Sequence, residues 1–222
     1  MPAVRKFAFA ALAFVVLSLG GSLTARADIV TFTTFGAFSS FSSANNLTQE
    51  NVLTPGAQNG ITVSGFTNQT NLQVNVTSLT NAMLTVADAN GQARFTGLNG
   101  AAIGSGGFRI SLPNNQTFTS LAFNLNNVQG TTGTVVITTL EPNGDVTQTN
   151  FVVGAGSNFF GAAAVNGQRI LSVTVGAGVA IQSLEQVRIG GAVAAVPEPM
   201  TMLLFGTGLA GVAARIRRRR KA

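Results

Sequence analysis

From Ile29 to Ile189 the apolar residues recur at every second position, in short runs separated by turn-forming dipeptides. A period of two is the signature of strands with one buried face, and no stretch shows the three-and-four spacing of an amphipathic helix. The candidate strands are Ile29–Phe35, Ile61–Phe66, Leu72–Val76, Met83–Val86, Phe108–Leu112, Ser120–Leu125, Thr134–Leu140, Val146–Val153, Ile170–Val175 and Ile181–Ile189. Leu121, Phe123 and Leu125 share one face, as do Leu171, Val173 and Val175. Asp88-Ala-Asn-Gly91 and Glu141-Pro-Asn-Gly-Asp145 both contain Asn-Gly, the pair best suited to the positive φ angles of a tight hairpin. Leu112-Pro-Asn-Asn115 and Asn166-Gly167 are further breaks. This pattern predicts an all-β chain, an antiparallel β-sandwich of the jelly-roll kind. Phe35–Asn46, rich in Ser, Ala and Asn, reads as a loose loop. The β region, residues 28–195, is long enough for one domain with a real core.

The charge is unevenly placed. The formal net charge is +6, yet Arg5, Lys6 and Arg26 lie at the front, and Arg215, Arg217, Arg218, Arg219, Arg220 and Lys221 at the back. Between them Arg94, Arg109, Arg169 and Arg188 face six carboxylates: Asp28, Glu50, Asp88, Glu141, Asp145 and Glu185. The folded region is slightly acidic, so nucleic acid is not the expected partner. The chain has no Cys and no His. A disulfide framework, a Ser-His-Asp triad and a His- or Cys-bound zinc are excluded on composition.

The two ends read as addresses. Arg5-Lys6 precedes the apolar run Phe7–Leu19, Gly20-Gly21 breaks it, and Ala25-Arg26-Ala27 presents small side chains at both positions a signal peptidase reads. Residues 1–27 thus fit a secretory signal peptide, with Asp28 starting the mature chain. At the other end, Val196-Pro197-Glu198-Pro199 precedes the uncharged stretch Met200–Ala214 and then the basic block. As a helix that stretch spans about 22 Å, short against a hydrocarbon core of about 30 Å. Arg215 and Arg217 extend its reach by keeping their charges at the headgroups, so the transmembrane helix is expected at about 200–216. The six cations stay on the cytoplasmic side, which leaves Pro197, Glu198 and Pro199 outside. The two prolines hold that stretch extended for an enzyme to grip.

Triplet, glycine-bearing hydrophobic stretch and Arg-rich end, in that order, resemble the PEP-CTERM sorting signal over 196–222. The resemblance implies an exosortase, a membrane cysteine transpeptidase-like enzyme, as partner. It also implies a membrane-anchored precursor with its domain outside the cytoplasm, passed on to the cell envelope or extracellular matrix. Within the domain, Phe118-Thr-Ser-Leu-Ala-Phe123, the Asn-Gly hairpin, Phe159-Phe-Gly161, Ile170–Val175 and Val187-Arg-Ile-Gly190 follow an order similar to surface jelly rolls with this tail. Those carry an Asp where this chain has Glu185. Strict alternation sets Glu185 on the face of Ile181, Val187 and Ile189, where a charge is costly without a partner. Either a bulge turns it outward, or Arg109 or Arg169 pairs with it.

Chemistry within the domain is sparse. Glycoside hydrolysis needs two placed carboxylates, and the acids here are few. Asp88-x-Asn90-Gly91 resembles a fragment of a calcium loop but lacks the later bidentate acid, and a plain turn accounts for it. No catalytic residue, metal ligand or cofactor is expected. Phe159 and Phe160 offer a ring face for a sugar, although paired Phe beside Gly161 also suits one buried ring and one partly exposed. Rows of Thr and Asn suit hydrogen bonding to polysaccharide, and equally the solubility of an uncharged sheet. The expected role is structural or adhesive, in a polysaccharide-rich biofilm surface. A carbohydrate-binding module is the alternative, and a glycoside hydrolase the weakest reading.

Overall fold

The computed structural model describes residues 29–127 and 132–192. Among these, fourteen strands pair antiparallel throughout. They are β1 (Ile29–Phe32), β2 (Glu50–Leu53), β3 (Gln58–Gly60), β4 (Thr62–Thr67), β5 (Gln73–Ser78), β6 (Leu84–Ala89), β7 (Gln92–Gly97) and β8 (Phe108–Ser111). There follow β9 (Ser120–Asn127), β10 (Gly133–Leu140), β11 (Val146–Val153), β12 (Gly156–Ala164), β13 (Ser172–Ala177) and β14 (Ile181–Gly190). One helix, α1 (Phe35–Ala44), lies between β1 and β2.

Two layers face each other. The first runs β1-β12-β9-β14 and continues through β7 and β6 to β3; the second runs β4-β5-β8-β13-β10-β11. Strand β2 belongs to both. Its first half pairs with β14 (Glu50 with Ile189, Asn51 with Arg188), and its second half pairs with β4 (Val52 with Thr67, Leu53 with Phe66). This handover joins the layers along one side, so the sheet nearly closes into a barrel. On the other side β1 and β11 are edge strands.

The space between the layers is filled by the alternating residues. Val74, Val76, Phe108, Ile110, Val135, Ile137, Val173 and Val175 come from one layer; Leu84, Phe95, Leu121, Phe123, Leu125, Phe160, Leu184 and Ile189 come from the other. All sixteen are essentially sealed from solvent. Each apolar side chain of this size contributes about 1.5–3 kcal/mol on burial, and the described fold rests on this one layer. The predicted Asn-Gly hairpin forms between β6 and β7. Ala89 faces Gln92, and the two loop residues Asn90 and Gly91 both have positive φ, at 54° and 79°, which matches the right-handed twist of the flanking strands.

The expected loose loop at Phe35–Asn46 is instead helical from Phe35 to Ala44. Serine-rich sequence has only middling helix propensity, and the helix is held by what it covers. Phe35, Phe38 and Phe41, spaced by three, lean on the outer surface of β12 and β1. The ring centroids lie 5.5 Å apart for Phe32–Phe38, 5.1 Å for Phe32–Phe41, 5.6 Å for Phe35–Phe159 and 5.8 Å for Phe38–Phe159. Phe38 with Ala122 and Ala163, and Phe32, Phe41 and Phe159 packed against them, form a second small core, in which Phe38 is fully buried. Gly161 makes this possible, because a Cβ there would lie 2.7 Å from the Phe38 ring.

Gly161→Val is therefore expected to lift α1 from the sheet and cost about 1–3 kcal/mol. Gly91, in open space at the hairpin, is limited instead by its positive φ and has no ring above it. Denaturant midpoints of the Gly161→Val and wild-type chains measure the loss, and an unchanged midpoint contradicts the packing described.

Candidate functional surface

With both inner faces committed to the core, chemistry is left to the two outer faces. On the β4-β5-β8-β13-β10-β11 layer, register aligns Thr62, Thr77, Arg109, Thr174, Thr138 and Gln148 in one row across six strands. At the usual strand spacing the row is about 24 Å long. The hydroxyls of Thr62 and Thr77 lie 2.9 Å apart, Arg109 Nε donates to Thr174 Oγ1 at 3.5 Å, and Gln148 Nε2 donates to Thr138 Oγ1 at 3.4 Å. A neighbouring row holds Ser64, Asn75, Ser111 and Ser172, with Ser64 Oγ donating to Asn75 Oδ1 at 2.8 Å. Arg109 is the charged member of these rows.

The other outer face concentrates charge and aromatic surface. Phe159 on β12 faces Asn124 on β9, which faces Glu185 on β14. Glu185 accepts from the Ser183 hydroxyl at 2.7 Å, and Arg94 Nε on β7 lies 2.9 Å from the same carboxylate. Both partners of this ion pair are partly exposed, so it adds little stability, about 0–1 kcal/mol. Asn124 Nδ2 donates to Gln186 Oε1. A shallow pocket of about 130 Å³ is lined by Ala89, Asn90, Gln92, Ala93, Glu185 and Gln186. Further along β14 the Arg188 guanidinium sits 4.9 Å from the centroid of Phe35, whose ring is 47 % exposed.

Glu185 is the residue whose surroundings differ most from expectation. Strict alternation fails on β14: the register slips between Ile181 and Ser183 and again between Glu185 and Arg188. Gln186 takes φ 52° within the second bulge. The carboxylate is thereby turned away from Val187 and Ile189, as one of the two expected solutions required. The paired cation, however, is Arg94. Arg109 reaches Thr174, and Arg169 donates to the hydroxyl and carbonyl of Thr117 and to the carbonyl of Gly191. Burial lowers the Arg169 pKa, but a guanidinium stays charged at any physiological pH. Sequence spacing gave no sign of Arg94, because β7 contributes a single register pair, Phe95 with Leu184, to β14.

Other expected features fall as follows. Phe160 is buried and Phe159 partly exposed, as the neighbouring glycine suggested. Asp88 accepts from the Gly91 N–H at 3.1 Å and closes the hairpin as a turn residue. No group of three or more His, Cys, Asp or Glu suited to a metal ion occurs among the described residues. Ala25 and Ala27, Pro197, Glu198 and Pro199, and the segments expected to form a signal peptide and a C-terminal helix, all lie outside the described residues.

A family model of the PEP-CTERM protein-sorting motif matches residues 195–219. This chain carries a PEP-CTERM sorting signal. Comparison with curated proteins and with solved structures finds no match. The motif contains Pro197, Glu198 and Pro199, and it implies an exported protein sorted by an exosortase, first as a membrane-anchored precursor and then in the envelope or outside the cell. No helix among the described residues is long and apolar enough to cross a membrane.

The Glu50 carboxylate has a shifted titration. Burial alone would raise the pKa of Glu50. Hydrogen bonds from the N–H and hydroxyl of Thr70, from the Gln69 N–H and from Thr67 outweigh it and hold the carboxyl below its ordinary value of 4.5. The two amide bonds, 2.8 Å from Thr70 and 3.1 Å from Gln69, pin the β4–β5 hairpin to β2. A lowered folded pKa means the contribution is fully present above the unfolded value and is lost as pH falls through the folded one. The domain should thus lose stability in acid below about pH 4, and Glu50→Gln should flatten that part of the profile. Thermal melts between pH 3 and pH 7 measure it; identical acid slopes would contradict the role given to Glu50.

Proposed function

We propose that this chain is a non-enzymatic surface protein with a structural or adhesive role in a polysaccharide-rich envelope or matrix. The supporting observation is the six-strand row from Thr62 to Gln148, a run of hydroxyl and amide groups with one positive charge, on a chain that carries an exosortase address. Neutral polysaccharides present hydroxyls at comparable density, and repeated weak hydrogen bonds over an extended face favour adhesion through many contacts. Within the fold, β7 to β14 pair as β7-β14-β9-β12 and β8-β13-β10-β11. We read that order as a jelly roll, with β2 to β6 as additions at one side. On this reading signal peptidase removes residues 1–27 after Ala27, and the helix at about 200–216 holds the precursor until exosortase acts.

A carbohydrate-binding module is the second reading, and the other outer face favours it. Phe35 offers an exposed ring beside the guanidinium of Arg188, and Asn124, Gln186, Glu185 and Arg94 supply donors and acceptors nearby. Aromatic stacking plus a few fixed polar groups is how a discrete sugar is held.

The experiment separates the two faces. Thr62, Thr77, Thr138 and Thr174 are changed together to Ala, and Phe35 and Arg188 together to Ala, in the chain expressed in its host. The Thr variant should be exported and processed normally but be retained in the extracellular polysaccharide at least about tenfold less. Loss of retention only in the Phe35/Arg188 variant would transfer the role to a discrete sugar site. Full retention of both variants would remove the polysaccharide reading. Glu198→Ala, which should leave uncut precursor in the membrane, serves as the sorting control.

A further inference from the structure

The two most exposed large apolar side chains among the described residues are Val152, at 77 %, and Val146, at 57 %. Both lie on β11, and β11 is an edge: it pairs with β10 along its whole length, from Val146 with Leu140 to Val153 with Gly133, without a bulge. Its sequence, VTQTNFVV, has no charge, no proline and no glycine. Natural edge strands avoid pairing with strangers by lysine, proline, bulges or shortness. The opposite edge, β1, is short, with four residues. Strand β11 has eight and none of these protections.

The strand is also self-complementary. When two antiparallel strands continue one sheet, residues that share a face stand opposite each other. Val146, Gln148, Asn150 and Val152 alternate along the outer face, whereas Phe151 and Val153 point to the core. With a two-fold axis through Thr149, Val152 of one copy meets Val146 of the other, on both sides of the axis. Gln148 then meets Asn150, amide against amide. Moving the axis to Gln148 or Asn150 sets valine against amide instead.

We propose that β11 is a homotypic docking edge, through which two copies of this chain pair antiparallel about Thr149. The edge N–H and C=O groups that pair with no described strand give the attraction, and the two valine pairs give the register. Such an isologous contact closes as a dimer. The outer Thr rows of the two copies then form one continuous face of doubled width. The inference is independent of the polysaccharide reading, since it concerns how copies meet and not what they hold.

The chain has no cysteine, which makes a thiol test clean. Val146→Cys and Val152→Cys are made singly and together in the full chain, exported by its own host, and cells are treated with a mild oxidant. Within one chain the two positions are about 20 Å apart along the strand, beyond the reach of a disulfide. The double variant, and co-expression of the two single variants, should give a disulfide-linked dimer on non-reducing gels. Each single variant alone, and the turn variant Asn90→Cys, should give at least about tenfold less. Without any cysteine, Val152→Lys should shift the sedimenting species from dimer to monomer while the β-sheet circular dichroism stays unchanged. Equal cross-linking of the single variants, no dimer from the double variant, or a Val152→Lys protein that still sediments as a dimer would each overturn the proposal.

Discussion

The strand β2 must satisfy two neighbours in two layers within four residues, and the rest of the fold depends on that handover. Glu50 and Asn51 complete the edge of β14, and Val52 and Leu53 complete the edge of β4. A chain without disulfides has only burial to hold two sheets face to face. The joined side prevents the layers from sliding apart, and the open side leaves β1 and β11 as edges. Val52 is fully buried against this closure, and Gly65 lies directly under its side chain, where any Cβ would collide with it. The Glu50 hydrogen bonds to Thr70 and Gln69 fasten the same corner from outside.

Much of this architecture was legible in the sequence where one face of a strand is wet, although β7, with Ala93 and Phe95 buried between Gln92 and Arg94, was not among the expected strands. All ten alternating runs are strands, and the Asn90-Gly91 turn has the geometry its dipeptide demands. The pattern failed where both faces are covered. Strand β12 reads GSNFFGAAA because Phe160 and Ala162 enter the main core while Phe159 and Ala163 meet α1, so no alternation remains to be read. Helix α1 is hidden for a different reason: its phenylalanines are spaced by three with Gly36-Ala37 and Ser39-Ser40 between them, and its stability comes from rings on the sheet. Strands β2 and β3 are too short for a periodic signal.

The candidate surfaces were legible in kind more than in place. Rows of Thr and Asn were visible in composition, but their alignment across six strands depends on registers that only the folded chain supplies. The Arg94–Glu185 pair depends on two bulges in β14 and on Gln186 in a left-handed conformation, and nothing local in the sequence marks either. The sorting tail is the converse case. It is short, ordered by charge and hydropathy, and readable without any tertiary structure. Function in this chain is thus divided: the C-terminal motif states the destination, and on the proposed reading the outer faces, free of core duties, meet the surroundings.

Native-state hydrogen exchange tests most directly whether the two layers form one cooperative body closed by β2. Amides of β14 in one layer and β13 in the other should open with the same free energy and the same denaturant dependence, with Val52 among the slowest. Separate opening of the two layers, or early exchange at Val52 while both layers stay protected, would contradict the account.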